Sequence, residues 1–283
     1  MSRLLDRFTD AQLMTMLIQR DFSAVNKVIE DEDIKELGRA FYGSLDTELT
    51  LRFPNLTKLN DYALTNAKVT VDIDFTKLTS IGNYALNYFD GAGVPKDLVL
   101  SSMTQVGSNA FMYMDSGVET LDAPQLTSTA SAAYAFAGMK SLKKFRAQNL
   151  TYLGTYMFYV CFVLEEIDLP SANTFAYGCL DYLPKLQTIR FGAETIGSLD
   201  QAFTASTSTV TAIIMDHLTN IPSIGSLTRL PTMGNGTCKV YVPRDLVTTL
   251  RSATGWSNYA GQILAIEDHT ELMPTWSDEE AQG

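Results

Sequence analysis

Between Glu48 and Thr232 the chain repeats one short arrangement of apolar and polar positions. An apolar residue, an outward residue and a second apolar or small residue open each unit, as in Leu51-Arg52-Phe53, Leu121-Asp122-Ala123 and Ile167-Asp168-Leu169. This alternation predicts a half-buried β-strand with its first and third residues inside. The second unit reads the same way at Ile73-Asp74-Phe75. Later units add an apolar residue three positions earlier: Val118, Leu142, Leu164, Leu186 and Val210. About ten residues after each strand comes a small-then-large pair, such as Ala63-Leu64, Ala85-Leu86 and Ala135-Phe136. Ile81-Gly82 through Leu86 and Val106-Gly107 through Phe111 spell the fuller form, I/V-G-x-x-A-L/F. It predicts a turn at glycine followed by a short helical return. Units of 22 to 25 residues recur about eight times. A unit this short buries its apolar edge only against its neighbours. The expected fold is an α/β solenoid of about eight rungs with parallel strands, over residues 48–238.

The L-x-x-L-x-L strand signature followed by I-G-x-x-A-F resembles the BspA-type leucine-rich repeat family. The resemblance spans about 180 of 283 residues. It implies a binding and display scaffold, and it carries no catalytic residues over. Lys239-Val240-Tyr241-Val242-Pro243 through Trp256, Tyr259 and Ile263 looks like the C-terminal cap common in such proteins, over 239–267. Two departures stand out. The seventh and eighth units lose the regular spacing, and Thr129-Ala130-Ser131-Ala132 inserts about two residues.

Parallel strands lie about 4.8 Å apart, so equivalent residues of adjacent rungs become neighbours. The outward series runs Arg52, Asp74, then, after Val99, Asp122, Arg146, Asp168 and Arg190. Its alternating signs predict a structural charge ladder on an exposed face, worth roughly 0.2–1 kcal/mol per facing pair. A second column follows Glu119, Lys143 and Glu165, with Lys144 facing Glu166.

The ends break the repeat. Residues 1–47 carry helical signals: a capping box at Thr9-x-x-Gln12 ahead of Leu13, Met16 and Leu17, a second helix over Asp21–Glu30, and a third placing Ile34, Leu37 and Phe41 on one face before Gly43. This module either caps the first rung or mounts the chain on a partner, with Leu4, Leu5 and Phe8 as the attachment residues. Pro243 fits the first turn of a helix containing Leu246, Val247 and Leu250. Residues 268–283 form an acidic tail without lysine or arginine, expected to be flexible.

Composition narrows the function. A formal charge of −11 leaves no electrostatic footprint for nucleic acid or an anionic membrane. No apolar stretch is long enough to insert in a bilayer, and the N-terminus lacks the pattern of a signal peptide. Two histidines, three cysteines and no CxxC pair point away from metal sites and nucleophilic catalysis. No catalytic residue, cofactor or metal is assigned, and no enzyme activity is expected. Thirteen tyrosines remain, and Tyr113, Tyr134, Tyr152, Tyr156 and Tyr159 are the candidate binding face. The competing reading is that repeat tyrosines stack for packing. The expectation is a non-catalytic structural and recognition protein: a bacteriophage virion component (tail, baseplate or capsid appendage), touching other virion proteins or a host-surface protein or glycan. A homo-oligomer is compatible with it. The alternatives are a bacterial surface adhesin and a cytoplasmic interaction scaffold.

Overall fold

The computed structural model describes residues 19, 27–43, 48–204, 209–225 and 229–272. Val28–Glu30, Thr50–Phe53 and Thr70–Ile73 form a three-stranded parallel ladder. Asp97–Val99 starts a second, eight-stranded one. It continues through Thr120–Asp122, Lys144–Arg146, Glu166–Leu169 and Thr188–Phe191, then Ala212–Ile214, Lys239–Val242 and Ile263–Ala265. Two-residue strands repeat the pairing farther along each rung: Glu36–Leu37, Lys58–Leu59, Ser80–Ile81 and Gln105–Val106, then Tyr152–Leu153 with Thr174–Phe175.

The inner strand positions make the core. Leu51, Leu98, Leu121, Phe145, Ile167, Ile189, Ile213 and Val240 are fully buried, each burial contributing about 1.5–3 kcal/mol. The large residues of the turn landmark meet them from the other side. Phe111 stacks on Phe136 at 5.1 Å and Phe136 on Phe158 at 6.1 Å, while Phe145 packs edge-on to both Phe136 and Phe158. This is a leucine-rich repeat fold of parallel strands with few helices.

The return after each short strand is a run of turns, not the helix expected. The amides of Tyr62, Leu64 and Asn66 donate to the carbonyls of Asn83, Ala85 and Asn87 on the next rung, at 2.9, 2.8 and 2.9 Å. The alternate amides of Ala63 and Ala67 close turns on Asn60 and Leu64. Beyond its first turn a helix spends its amides within itself. Here half of them bond the rungs together. The geometry requires left-handed backbone at two positions per rung, four residues apart: Tyr62 and Asn66 (φ 62° and 53°), Tyr84 and Tyr88 (57° and 51°), Tyr156 and Val160 (52° and 56°).

The motif glycine has a different cause. A Cβ on Gly107 would lie 2.4 Å from the Asn83 nitrogen and 2.6 Å from the Gly82 carbonyl carbon. Adjacent rungs touch backbone to backbone at this point, and only glycine leaves room.

Three further expectations change. Residues 28–30 and 36–37 are strands, not parts of two helices. Ile29 stands beside Leu51 and Leu37 beside Leu59, so this segment is a further rung. Short isolated helices are marginal, whereas the open edge of the next rung satisfies the backbone at once. The capping box and the attachment residues Leu4, Leu5 and Phe8 lie outside the described residues. The second correction moves the strand of the second unit to Thr70–Ile73, with Val71 beside Leu51 and Ile73 beside Phe53. Phe75 instead opens a 3-10 turn, Phe75–Lys77. Third, Thr70–Ile73 and Asp97–Val99 belong to separate sheets, because Gly91-Ala92-Gly93 comes between them. The Val71 amide donates to the Ala92 carbonyl at 2.9 Å. Gly93 has φ 91°, and a Cβ there would fall 1.8 Å from the Val71 oxygen. A 25-residue unit spends its extra length filling this seam.

At the far end, Arg244–Ser252 is helical directly after Pro243 and buries Leu250. Trp256 is fully buried, and its Nε1 donates to the Pro222 carbonyl at 2.9 Å.

Candidate binding face

The two left-handed positions of each rung carry side chains along the turn edge in two columns. Tyr62 and Tyr84, then Tyr134 and Tyr156, stand in the first; Tyr88, Tyr113 and Tyr182 stand in the second. Rung spacing brings the rings into contact. Tyr62 stacks on Tyr84 at 5.0 Å, Tyr88 on Tyr113 at 5.0 Å, and Tyr134 on Tyr156 at 5.1 Å. Where the next rung offers glycine, the ring lies across it. A Cβ on Gly138 would sit 2.3 Å from the Tyr113 ring, and one on Gly178 would sit 2.5 Å from that of Tyr156. Tyr159 fills the space between the columns, 6.1 Å from Tyr134, 5.2 Å from Tyr156 and 5.2 Å from Tyr182. Tyr177 packs edge-on to Tyr156 at 5.6 Å.

Four predicted residues, Tyr113, Tyr134, Tyr156 and Tyr159, thus share one ridge. Burial raises the Tyr113 phenol, with Tyr88, Tyr159 and Tyr134 adding to the effect. Burial also raises Tyr156, and Tyr177 reinforces it. Tyr152 stands apart, on the short strand Tyr152–Leu153 beside Thr174. Tyr88, Tyr177 and Tyr182 were missed, although they are the more exposed members at 50%, 49% and 37%. For Tyr88 and Tyr182 the signal was a second landmark four residues after the first; Tyr177 directly precedes the first landmark, Gly178. The stacked faces are spent on one another. What solvent meets is a ridge of phenol edges whose rings have little freedom left to lose, the property that makes tyrosine effective in recognition surfaces.

The charge ladder has the expected register from Asp122 to Arg190. Arg146 stands between Asp122 and Asp168, and Asp168 faces Arg190. Its environment is different: the side chains of Arg146, Asp168 and Arg190 are only 7%, 4% and 12% exposed. Arg146 Nε lies 3.4 Å from Asp168 Oδ2, and Arg190 Nη1 donates to Asp168 Oδ1 at 3.2 Å. The chain of charges continues to Asp216, which sequence reasoning did not include. Burial raises the carboxyls of Asp122 and Asp168, with Arg190 and Arg146 opposing it at Asp168. Burial also works against the Arg190 charge, but hydrogen bonds to Asp216 carry its pKa above the ordinary value. At the other end Arg52 pairs with Asp72 at 2.7 Å and Glu30 at 2.8 Å, not with Asp74. The two-residue shift of that strand is the reason. In the second column Lys143 donates to Glu119 at 2.8 Å and Lys144 pairs with Glu166 at 2.9 Å.

Groups suited to catalysis are dispersed. Cys161, Cys179 and Cys238 are free and buried, and burial pushes the Cys161 thiol up to about 12. His217 sits 3.5 Å from Asp216, while His269 packs edge-on to Tyr241 at 5.0 Å. Among the described residues no three His, Cys, Asp or Glu side chains are placed to hold a metal ion. No described helix is long and apolar enough to cross a membrane.

A sequence profile described as "BspA type Leucine rich repeat region" matches the chain in six copies, over residues 21–118 and 104–224. No curated protein matches in sequence. Among solved structures, a leucine-rich repeat protein from Bacteroides ovatus ATCC 8483 superposes with a TM-score of 0.51 at 17% identity. That alignment covers 76% of this chain and 55% of the other, so the chain spans about half the length of this neighbour. A leucine rich cell surface protein from Faecalibacterium prausnitzii A2-165 aligns at 15% identity over 82% of this chain and 75% of its own, with a TM-score of 0.35. The pneumococcal vaccine antigen PcpA aligns at 15% identity over 84% and 77%, with a TM-score of 0.33.

Proposed function

The chain belongs to the BspA-type leucine-rich repeat family, and from that premise we propose that it is a non-catalytic recognition scaffold. The observation that carries the reading is the tyrosine ridge. Seven tyrosines from Tyr88 to Tyr182 stand together on one edge, locked by stacking and by left-handed turns. A rigid amphipathic surface loses little side-chain entropy on binding and offers both ring area and hydroxyls. Its partner is a protein on a cell surface. The reading extends to display on a bacteriophage particle, held by other virion proteins, with display on a bacterial surface as the alternative setting.

The test uses the full chain, labelled and titrated onto intact bacterial cells. Tyr177→Ser combined with Tyr182→Ser removes exposed phenols and spares the stacked pairs. Cell binding should fall by about tenfold or more while the circular dichroism stays unchanged. Binding unchanged by this pair would remove the ridge as the recognition surface. Co-sedimentation with assembled particles supports the virion setting, and its absence moves the scaffold to the cell surface.

A further inference from the structure

The short sheet opens at one place. At equivalent points of neighbouring rungs the carbonyls of Thr57, Thr79 and Thr127 accept amides from the following rung, as do those of Leu59, Ile81 and Leu153. Among the described residues no amide of the following rung reaches the carbonyls of Thr104 and Val106. The cause is the two-residue insertion after Thr129. It bulges the next rung outward, so that the Ala130 amide turns back to the Ser128 hydroxyl at 3.1 Å. Between the two rungs lies an open cavity of about 470 Å³.

Its walls set polar side chains beside the apolar Ile81, Val106 and Ala130. Hydroxyls of Ser80, Thr104 and Ser128 and the Gln105 amide line it, with Asp61 as its one carboxylate and with no lysine, arginine, histidine or aromatic ring. No cation is there to hold an anionic ligand and no ring is there to stack a base. The cavity is also closed at one end. The Ser108 hydroxyl donates to the Ser131 carbonyl at 3.3 Å and accepts the Ala133 amide at 3.2 Å, and the Asn109 amide donates to the Ala133 carbonyl at 2.9 Å. Beyond the other end, the main ladder between Asp97–Val99 and Thr120–Asp122 is intact. An extended peptide would have to run through that closure to complete the ladder, whereas a compact ligand would not.

We propose that this cavity is a binding site for a neutral saccharide unit, separate from the tyrosine ridge. Sugar hydroxyls donate to the two open carbonyls and exchange hydrogen bonds with the hydroxyl and amide walls, in place of water.

The experiment titrates the full chain with neutral mono- and disaccharides of glucose, galactose, mannose and N-acetylglucosamine, read by saturation-transfer NMR and calorimetry. Two variants accompany it. Deleting Ala130 and Ser131 restores the ordinary spacing and lets the following rung reach Thr104 and Val106. Ser128→Trp blocks the mouth from an exposed position. At least one saccharide should bind, and both variants should weaken it by about tenfold or more with the thermal transition kept. Should the deletion fail to fold, Ser128→Trp alone decides. Absence of binding at millimolar sugar overturns the proposal, as does binding that survives Ser128→Trp. Competition by an extended threonine-valine peptide with a higher affinity than any sugar would also overturn it.

Discussion

Arg190 grips Asp216 with two donors on one oxygen, Nε at 3.0 Å and Nη2 at 2.7 Å from Oδ2. Its remaining arm reaches Asp168 on the other side, so a single guanidinium bridges two carboxylates that are 2% and 4% exposed. Arg190→Ala would leave buried Asp216 without its arginine and Asp168 with only Arg146, 3.4 Å away. The expected cost is about 3–5 kcal/mol. Arg52→Ala, at a guanidinium 43% exposed, should cost no more than about 1 kcal/mol. Urea denaturation of the two variants side by side measures the difference, and equal costs would mean that the ladder is solvated.

The motif glycine is open to a direct test. Gly107→Ala places a methyl against the backbone of Gly82 and Asn83, where no flexible side chain can yield. Overpacking of this kind costs about 1–3 kcal/mol. Gly197→Ala meets nothing within 4 Å and is the control. A Gly107 variant as stable as the control would show that the rungs can separate locally.

How much of this was legible depends on whether period or environment decides it. Inner strand residues such as Leu121 and Ile167 follow from alternation alone, because a one-residue slip would turn the core outward. The register of Arg146 between Asp122 and Asp168 follows for the same reason. Burial of that ladder was not legible, because an outward strand position does not say what covers it. The Glu36–Leu37 strand hid behind a helical spacing of Ile34, Leu37 and Phe41, and Val28–Glu30 behind the helix expected over Asp21–Glu30, both overridden by tertiary pairing. For the ridge, clustering of Tyr134, Tyr156 and Tyr159 was visible in the repeat. The left-handed turn that aligns Tyr88, Tyr113 and Tyr182 was not, because tyrosine is an unusual residue at positive φ.

Stacking and recognition within the ridge separate by substitution. Tyr156→Ala removes a ring that contacts Tyr134, Tyr159 and Tyr177 and covers Gly178, and should cost about 1–3 kcal/mol. Tyr182→Ala removes a more exposed ring with one ring neighbour among the described residues, and should cost less than about 1 kcal/mol. Thermal unfolding gives both values. The reverse order would mean that Tyr182 anchors the ridge.

Asp122 carries a pH dependence whose sign is unusual for a paired carboxylate. Burial raises its pKa in the folded state, so over the affected range the folded chain binds more protons than the unfolded one. Stability from this group is therefore full below the ordinary carboxylate pKa and is lost as pH rises through the raised folded value. Asp122→Asn abolishes that loss. The variant should gain on the parent between about pH 4 and neutrality and show no gain at more acid pH. Urea midpoints at the two pH values check it; a variant that loses stability at neutral pH would mean that attraction to Arg146 outweighs burial.

Asp72 takes the ladder place that the repeat pattern assigned to Asp74. Asp72 pairs with Arg52 across the strands, with its own side chain 58% exposed. Asp74 instead caps the turn at Phe75–Lys77, its Oδ1 accepting the Thr76 amide at 3.1 Å and the Thr76 hydroxyl at 2.6 Å. The Thr76 hydrogen bonds, ahead of a modest opposing effect of burial, hold its carboxyl below the usual range. An exposed ion pair is worth little, and a cap is worth about 1 kcal/mol. Asp74→Ala should therefore destabilise by about 1 kcal/mol, and Asp74→Asn by less, because an amide oxygen still accepts. Asp72→Ala should change stability by a few tenths of a kcal/mol and lose even that at high salt. Guanidinium denaturation would screen the pair and blur the comparison, so urea at low and high sodium chloride is the measurement. A salt-sensitive loss at Asp74 with none at Asp72 would return the ladder to the register that alternation alone suggested.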